Sequence, residues 1–593
     1  MRVADYIVDR LYRAGAHHTF MVSGGGMMFL SDALQVHKDM EVVCNHHEQA
    51  SAMAAVGYAK YTGGISAAFT STGCGATNAL TGLLTAWQDN VPVVFISGQV
   101  KQSETTRGTG VPLRQLGTQE ADVIKIVRSL TKYAVMITDP STVAEHLEQA
   151  LHLATSGRPG PVWIDVPMDV QGALMTTTAT PQAVHGGDSS PAWSAEASAT
   201  VSKLLMNAKR PVIIAGQGVR IAKAIPQLEA YARSYGIPVV APYLGVGMLP
   251  TDHPMYVGVI GIKGSRAGNL AVQNADLVLS IGSRLSVTAI GYEYALFARE
   301  AVKVVVDIDP VEHTKRTIKV DHFIHADAKE FLMKCFPSRK PETGEWLSRC
   351  QAWKAKYSVC LPEYRTYTGA VSMYHLVDTL STLMKDDAVV ISDAGSAFYV
   401  TTQAINLKGN QRYLTSGGQA EMGFTLPACI GASFAKGGSV YGITGDGSFQ
   451  MNIQDLQTIV HHGLPIKLFV LNNNGYLSIR ATQNKFFEGR LVGTDGTSGL
   501  SFPDTKKIAD AYGITYRRLQ QSATLAEDLQ DVLAEKGPVI CEVICPENEP
   551  VVPTAASKKT AEGKMVSRPL EDMMPFLDRD EYLSNMIVRP VDE

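Results

Sequence analysis

Two short segments of this chain carry residue types and a spacing suited to holding an anion and a divalent cation together. They are Tyr441-Gly-Ile-Thr-Gly-Asp-Gly-Ser-Phe449 and Leu468-Phe-Val-Leu-Asn-Asn-Asn-Gly-Tyr476. Gly445 and Gly447 lack the side chains that would keep a backbone away from a diphosphate, and a helix starting just beyond them would aim its free N–H groups at that anion. Asp446 and Asn473, 27 positions apart, can offer oxygens to a hard, octahedral Mg2+, with the carbonyl of Gly475 as a third ligand and diphosphate oxygens completing the shell. Taken alone, either half reads as an Asp-Gly turn or an Asn-rich loop that binds nothing. Taken together they demand a strand, a turn, a helix with its core face on Ile453, Leu456 and Val460 that stops at Gly463, and a second strand.

Parallel sheets covered by helices are the architecture that places such turns side by side, and the chain alternates short apolar runs with helical patterns three times over. The expected fold is α/β: three doubly wound domains with parallel sheets. The first, residues 1–170, has strand candidates at 41–44, 66–70 and 91–97, an Ala-rich helix at 49–61, and an end near 161–167. A stretch rich in Thr, Ala, Pro, Gly and Ser from about 171 to 195 reads as a linker. The second domain, 196–336, offers strands at 211–215, 238–241, 277–281 and 302–307; a polar, charged connector follows from about 337 to 368. The third, 369–550, offers strands at 388–392, 440–444, 466–471 and 538–544, before an irregular tail, 551–593.

Bulk properties narrow the function. A chain of 593 residues with 45% hydrophobic and 19% charged residues has ample core to bury, and its net charge of -4 gives no basic footprint for nucleic acid or an anionic membrane. Small molecules are the expected partners. Eight cysteines show neither disulfide nor zinc spacing, and Cys541 and Cys545 read as parts of a buried strand rather than metal ligands. The N-terminal pattern Val3, Ile7, Leu11 is an amphipathic helix rather than a signal peptide, and no apolar run approaches ~20 residues. A cytoplasmic location is the default expectation.

The paired segments resemble the thiamin-diphosphate signature, and the resemblance extends over nearly the whole chain, most closely to the acetohydroxyacid (acetolactate) synthase branch of that superfamily. It implies a pyrimidine-binding first domain, a central nucleotide-binding-like domain that often carries non-redox FAD, and a diphosphate-binding third domain. By resemblance, Glu48 in Asn45-His-His-Glu-Gln49 is the carboxylate that hydrogen-bonds the cofactor pyrimidine and promotes the tautomer able to take the thiazolium C2 proton. Further matches occur in the family's order: Gly25 in Ser23-Gly-Gly-Gly26, Thr70 and Asn78 in Thr70-Ser-Thr-Gly-Cys-Gly-Ala-Thr-Asn78, and Gly395 and Ser396 in Asp393-Ala-Gly-Ser396. Ser416-Gly-Gly-Gln-Ala-Glu-Met-Gly-Phe424 contributes Met422, the apolar prop that bends the cofactor, and Ser448 and Tyr476 complete the cofactor set. Gln119 in Leu116-Gly-Thr-Gln-Glu120 matches a glutamine near the reacting carbon. Arg158, Arg284, Asp307 and Asp327 stand where the family touches FAD. A core methionine, a polar loop residue and an unused nucleotide fold are the plainer readings of Met422, Gln119 and the central domain. His46 and His47 read as neighbours of Glu48, and His461 and His462 as helix-end residues.

The resemblance implies decarboxylation of a 2-oxo acid, with pyruvate expected, and transfer of the two-carbon unit to a second carbonyl compound by a homodimer or homotetramer. Thr118, Met168 and Thr482 stand where the family carries phenylalanine, lysine and tryptophan, and the loop 101–116, with Arg107 and Arg114, is longer than usual. A wider pocket keeps other outcomes open. These are two-carbon transfer to a nucleotide-linked keto sugar whose diphosphate meets the loop arginines, a simple decarboxylase or flavin-linked oxidase, and a non-catalytic regulatory relative.

Overall fold

The structure, a computed structural model, describes residues 1–175, 194–559 and 565–591; most of the expected linker therefore lies outside the described residues. Three six-stranded sheets, parallel throughout, form the frame. The first contains β1 (His18–Met21), β2 (Glu41–Cys44), β3 (Ser66–Thr70), β4 (Val93–Gln99), β5 (Tyr133–Met136) and β6 (Val162–Pro167), in the order β2-β1-β3-β4-β6-β5. The second contains β7 (Pro211–Ala215), β8 (Val239–Ala241), β9 (Tyr256–Val259), β10 (Leu277–Ile281), β11 (Val302–Asp307) and β12 (His322–His325), in the order β12-β11-β10-β7-β8-β9. The third contains β13 (Val389–Ser392), β14 (Arg412–Thr415), β15 (Val440–Gly445), β16 (Ile466–Asn472), β17 (Thr515–Leu519) and β18 (Val539–Ile544), in the order β14-β13-β15-β16-β18-β17. Their central strands, such as β4, β7 and β10, are buried along their whole length, as sheets with helices on both faces require.

The first and third sheets have the same strand order. Each therefore reverses direction between its first and third strands, and in doubly wound sheets ligands bind outside the carboxyl ends of the strands at that reversal. The equivalent helices after β2 and β14, Glu48–Thr62 and Thr425–Lys436, pack against each other and join the two units through one core containing Met53, Val56, Phe424 and Cys429. Small residues make this approach possible: a Cβ on Gly431 would stand 1.9 Å from the Ala54 carbonyl oxygen. The central sheet has the dinucleotide-binding order, reversing between β7 and β10.

Several expectations shift. Strands anticipated from Val91, Pro238 and Pro538 begin at Val93, Val239 and Val539, each just past a proline with no N–H to give a ladder. The unanticipated strands are short or lie toward a sheet edge; β17 exposes Arg517 and Arg518 and buries only Leu519. The polar stretch 337–368 is not a bare connector: it holds the helix Gly344–Lys356, whose Trp346, Cys350 and Trp353 sink into the central unit, with Trp346 Nε1 donating to the Pro211 carbonyl at 3.0 Å. Nor is the tail loose. Leu570 enters the same core, and buried Glu571 accepts from Gln273 Nε2 at 2.5 Å and Arg299 Nη1 at 2.7 Å. Among the described residues no helix is long and apolar enough to cross a membrane.

Candidate active site

The third sheet presents two turns at its reversal, one after β13 and one after β15. Gly395 starts the helix Gly395–Ala404 with a φ of +58°, a backbone conformation that costs a side chain energy, and Ser396 is buried beside it. After β15, Asp446 is 6% exposed and its carboxylate accepts from the backbone N–H of Gly447 at 2.8 Å and of Gly475 at 3.0 Å. Burial nevertheless pushes its carboxyl up to about 6, because these donors only partly replace lost water. β16 lies next to β15 in register, Gly445 beside Leu471, so Asn473 emerges at the same edge. Its side-chain oxygen is buried with no hydrogen-bond partner. An under-stabilised carboxylate and an orphaned amide oxygen at one sheet edge are the donor set of a hard cation. Asp446, Asn473 and Gly475 thus fit Mg2+. Gly447 must be glycine, since a Cβ there would meet the Tyr476 ring at 2.0 Å.

The expected continuous helix after Asp446 is broken into the helix Asp446–Phe449, a tighter 3-10 turn Gln450–Asp455 and the helix Leu456–His461. Asn452 leaves helical geometry, and its Nδ2 donates to the Gly423 carbonyl at 2.8 Å, beside Met422. Ser448 is turned inward: its hydroxyl donates to Asp393 at 2.5 Å and accepts from Gly423 N–H at 2.8 Å, so only its backbone N–H is free for a diphosphate. Asp393 is the hub that sequence reading gave no role. Fully buried, it also accepts from Thr444 Oγ1 at 3.0 Å and from the N–H groups of Ala394 and Thr425, tying together the turns after β13 and β15 and the start of the helix Thr425–Lys436. Arg480, likewise missed, is buried and donates to the carbonyls of Asn473 and Asn474, fixing the Asn-rich turn. No local pattern separates it from an exposed helix cation.

In the first sheet, Gly25 and Glu48 follow β1 and β2, and Thr70 is the last residue of β3. Glu48 opens its helix, with the His47 ring as cap accepting from Gln49 N–H at 3.1 Å, and its carboxylate accepts from Asn78 Nδ2 at 2.9 Å. Asp455 fastens this turn to the third unit by accepting from Asn45 Nδ2 at 2.9 Å and His46 N–H at 3.2 Å. Thr70 Oγ1 is buried without a partner. Among the described residues no hydrogen bond or ion pair joins Glu48 to the Asp446 turn of the same chain.

Gln119 is exposed and held at a φ of +61°, strain that persists only where surroundings impose it. A buried chain imposes it. Thr72 Oγ1 donates to Gln99 Oε1 at 2.5 Å and lies 3.4 Å from the Gln119 carbonyl, Gln99 Nε2 donates to Asp165 at 3.2 Å, and Ser97 Oγ donates to Asp165 at 2.6 Å. Buried Glu120 accepts from Thr106 and Leu116, pinning the long loop to this turn. Arg107 is not poised for a ligand, because its guanidinium is paired with Asp122 at 2.9 Å; Arg114 is exposed. Thr118 and Thr482 are exposed and Met168 half-buried.

At the central reversal a cavity of about 470 Å3 is lined by Arg158, Gly218, Arg284, Asp307 and Asp327. A Cβ on Gly216 would collide with the Gly282 carbonyl at 2.1 Å, so the two phosphate-side turns meet backbone to backbone. All four expected flavin residues are brought together, and the space and donors fit a dinucleotide. Arg158 is less available than expected: Asp309, Glu312 and Asn90 hold it at 2.9, 2.7 and 2.6 Å. Asp327 also caps its own helix by accepting from Lys329 and Glu330 N–H.

Comparison with known proteins agrees with this layout. Residues 1–126 match the thiamine pyrophosphate enzyme N-terminal TPP binding domain, 198–335 the central domain and 393–543 the C-terminal TPP binding domain. The chain is 31% identical to the acetolactate synthase large subunit of Lactococcus lactis subsp. lactis over 93% of each protein. It is 32% identical to the acetolactate synthase isozyme 2 large subunit of Escherichia coli, covering 94% of this chain and 98% of that one, and to the chloroplastic acetolactate synthase of Arabidopsis thaliana, covering 94% and 83%. With three family domains in this order, each centred on its own sheet, the chain belongs to the thiamine pyrophosphate enzymes, in their acetolactate synthase family.

Proposed function

We propose that the protein decarboxylates a 2-oxo acid, pyruvate first among candidates, and joins the two-carbon unit to a second carbonyl compound. The observation that carries this reading is the buried pair of Asp446 and the unsatisfied Asn473 oxygen at one sheet reversal, with Glu48 at the equivalent end of the other. Asp446, Asn473 and the Gly475 carbonyl would hold Mg2+, and the N–H groups of Gly395, Ser396 and Ser448 would face the diphosphate, the Gly447 N–H being held by the Asp446 carboxylate. The bound cofactor supplies a carbon nucleophile and an electron sink. Glu48, its orientation set by Asn78, would hold a proton at the pyrimidine end, and Met422 would pack against the bound cofactor. Gln119 offers an amide N–H to an oxygen that gains charge, and its strained backbone keeps it aimed. FAD occupies the central cavity, with Arg284, Asp307 and Asp327 around it.

Exposure of Asn78 and Gln119 in a single chain supports a site closed by a partner subunit, hence a homodimer or homotetramer. Small or neutral side chains at Thr118, Met168 and Thr482 favour a wide acceptor pocket, and a nucleotide-linked keto sugar is the second reading. The test of the first reading is Glu48→Gln. Gln preserves the acceptor for Asn78, so cofactor retention should hold while CO2 release from pyruvate falls ~10^2- to 10^4-fold; unchanged release would refute the assignment. Mass spectrometry of products from pyruvate with keto acids, aldehydes and keto sugars identifies the acceptor.

A further inference from the structure

A second cavity, of about 450 Å3, lies where all three units meet and shares one wall with the dinucleotide cavity. Its lining includes four cations and no carboxylate: Lys60 from the end of the helix Glu48–Thr62, Arg220 and Lys223 from the segment after β7, and Arg412 from β14. Lys60 is already neutralised by Asp89 at 2.6 Å. The two arginines are not. Arg220 donates to the Gly247 carbonyl at 2.6 Å, and Arg412 donates to the carbonyls of Lys60 and Tyr61 at 3.0 and 3.4 Å, but its Nε is buried with no partner. Among the described residues no carboxylate acts on either group: burial and then Arg412 push the Arg220 guanidinium down to about 9, and burial lowers Arg412 against a smaller opposing effect of the Tyr61 phenol.

A guanidinium is hydrated weakly but still costs several kcal/mol to bury without a counter-charge. Capping the carbonyls at the end of the helix Glu48–Thr62 explains Arg412 in part. It explains neither the orphaned Nε nor a second half-buried cation close enough to repel it. A cavity of this size accommodates a small metabolite, and planar guanidinium forks match the oxygens of a phosphate group. We infer that this junction is a binding site for a small phosphate-bearing anion, separate from the thiamine diphosphate and flavin sites, whose binding clamps the three units together.

The test uses the full enzyme saturated with thiamine diphosphate, Mg2+ and FAD, so that those phosphate sites are filled. Inorganic phosphate is titrated at constant ionic strength, with NaCl as the balancing salt, while the thermal midpoint is followed. The wild type should show a saturable rise. In Arg220→Met, with its FAD content unchanged, the apparent Kd should weaken ~10-fold or more, the loss of one charge-assisted contact. Lys223→Ala, at an exposed position harmless to folding, should weaken it severalfold. No saturable rise in the wild type, or the same apparent Kd in Lys223→Ala and in any folded Arg220→Met, would overturn the assignment.

Discussion

Asp165 is fully buried in β6, where among the described residues its side-chain donors are Ser97 Oγ and Gln99 Nε2, and burial pushes its carboxyl from the usual 3.8 up to about 7. That rise corresponds to ~4 kcal/mol. Because the folded value lies above the unfolded one, the folded protein binds more protons between pH ~4 and ~7, and stability must fall as pH rises through that window. Below it both states are protonated and the effect vanishes; above it the whole ~4 kcal/mol opposes folding. Asp165→Asn removes the charge while keeping the shape. Its amide can donate to Ser97 Oγ, which already accepts from Trp163 Nε1 at 2.8 Å, at a cost of ~1 kcal/mol for the rearranged bonds. The variant should therefore be about as stable as the wild type at pH 4.5 and the more stable at pH 8, by ~3 kcal/mol or ~6–12 °C for a domain of this size. Apoprotein thermal midpoints of both proteins, taken from pH 4.5 to 8, measure the difference directly. A difference that stays flat with pH, or that moves in favour of the wild type as pH rises, would show that Asp165 is ionised at no cost and that the polar chain linking it to Gln119 is not shut off from water.

Other perturbations probe other joints. Asp446→Ala removes the charged donor of the cation set, so calorimetry should show cofactor retention losing its dependence on Mg2+; wild-type affinity would contradict the site. Gly431→Ala drives a methyl into the Ala54 carbonyl oxygen, with ~3 kcal/mol or more of strain expected, read as a lowered thermal midpoint and loss of cofactor binding together. Arg299→Met leaves the buried Glu571 carboxylate without its cation, a loss of ~3–5 kcal/mol that should expose the tail after residue 550 to limited proteolysis at unchanged core stability; a tail as resistant as before would show the pair is dispensable.

Much of the frame was legible in the residues alone. Runs such as Val212-Ile-Ile214 and Leu468-Phe-Val-Leu471 announce strands buried on both faces because nothing polar interrupts them, and the Gly-Asp-Gly and Asn-Asn-Asn-Gly turns announce a phosphate and a cation because few other arrangements need those residues together. That Glu48 stands at the first sheet's reversal, and that Arg158, Arg284, Asp307 and Asp327 line one cavity, was suggested only by resemblance and by their order along the chain. Edge strands such as β17 were not, because a strand half open to water keeps polar residues that local periodicity assigns to a loop.

What only the tertiary structure decided is which polar groups became one another's partners. Asp393 meets Ser448, Asp165 meets Gln99, and Arg412 meets the end of a helix more than 300 positions away, pairings set by strand order rather than by any local spacing. A sequence records at each position how apolar a residue is and how its neighbours alternate; a buried charge draws its energy from atoms contributed by distant segments, and their placement exists only once the sheets have assembled.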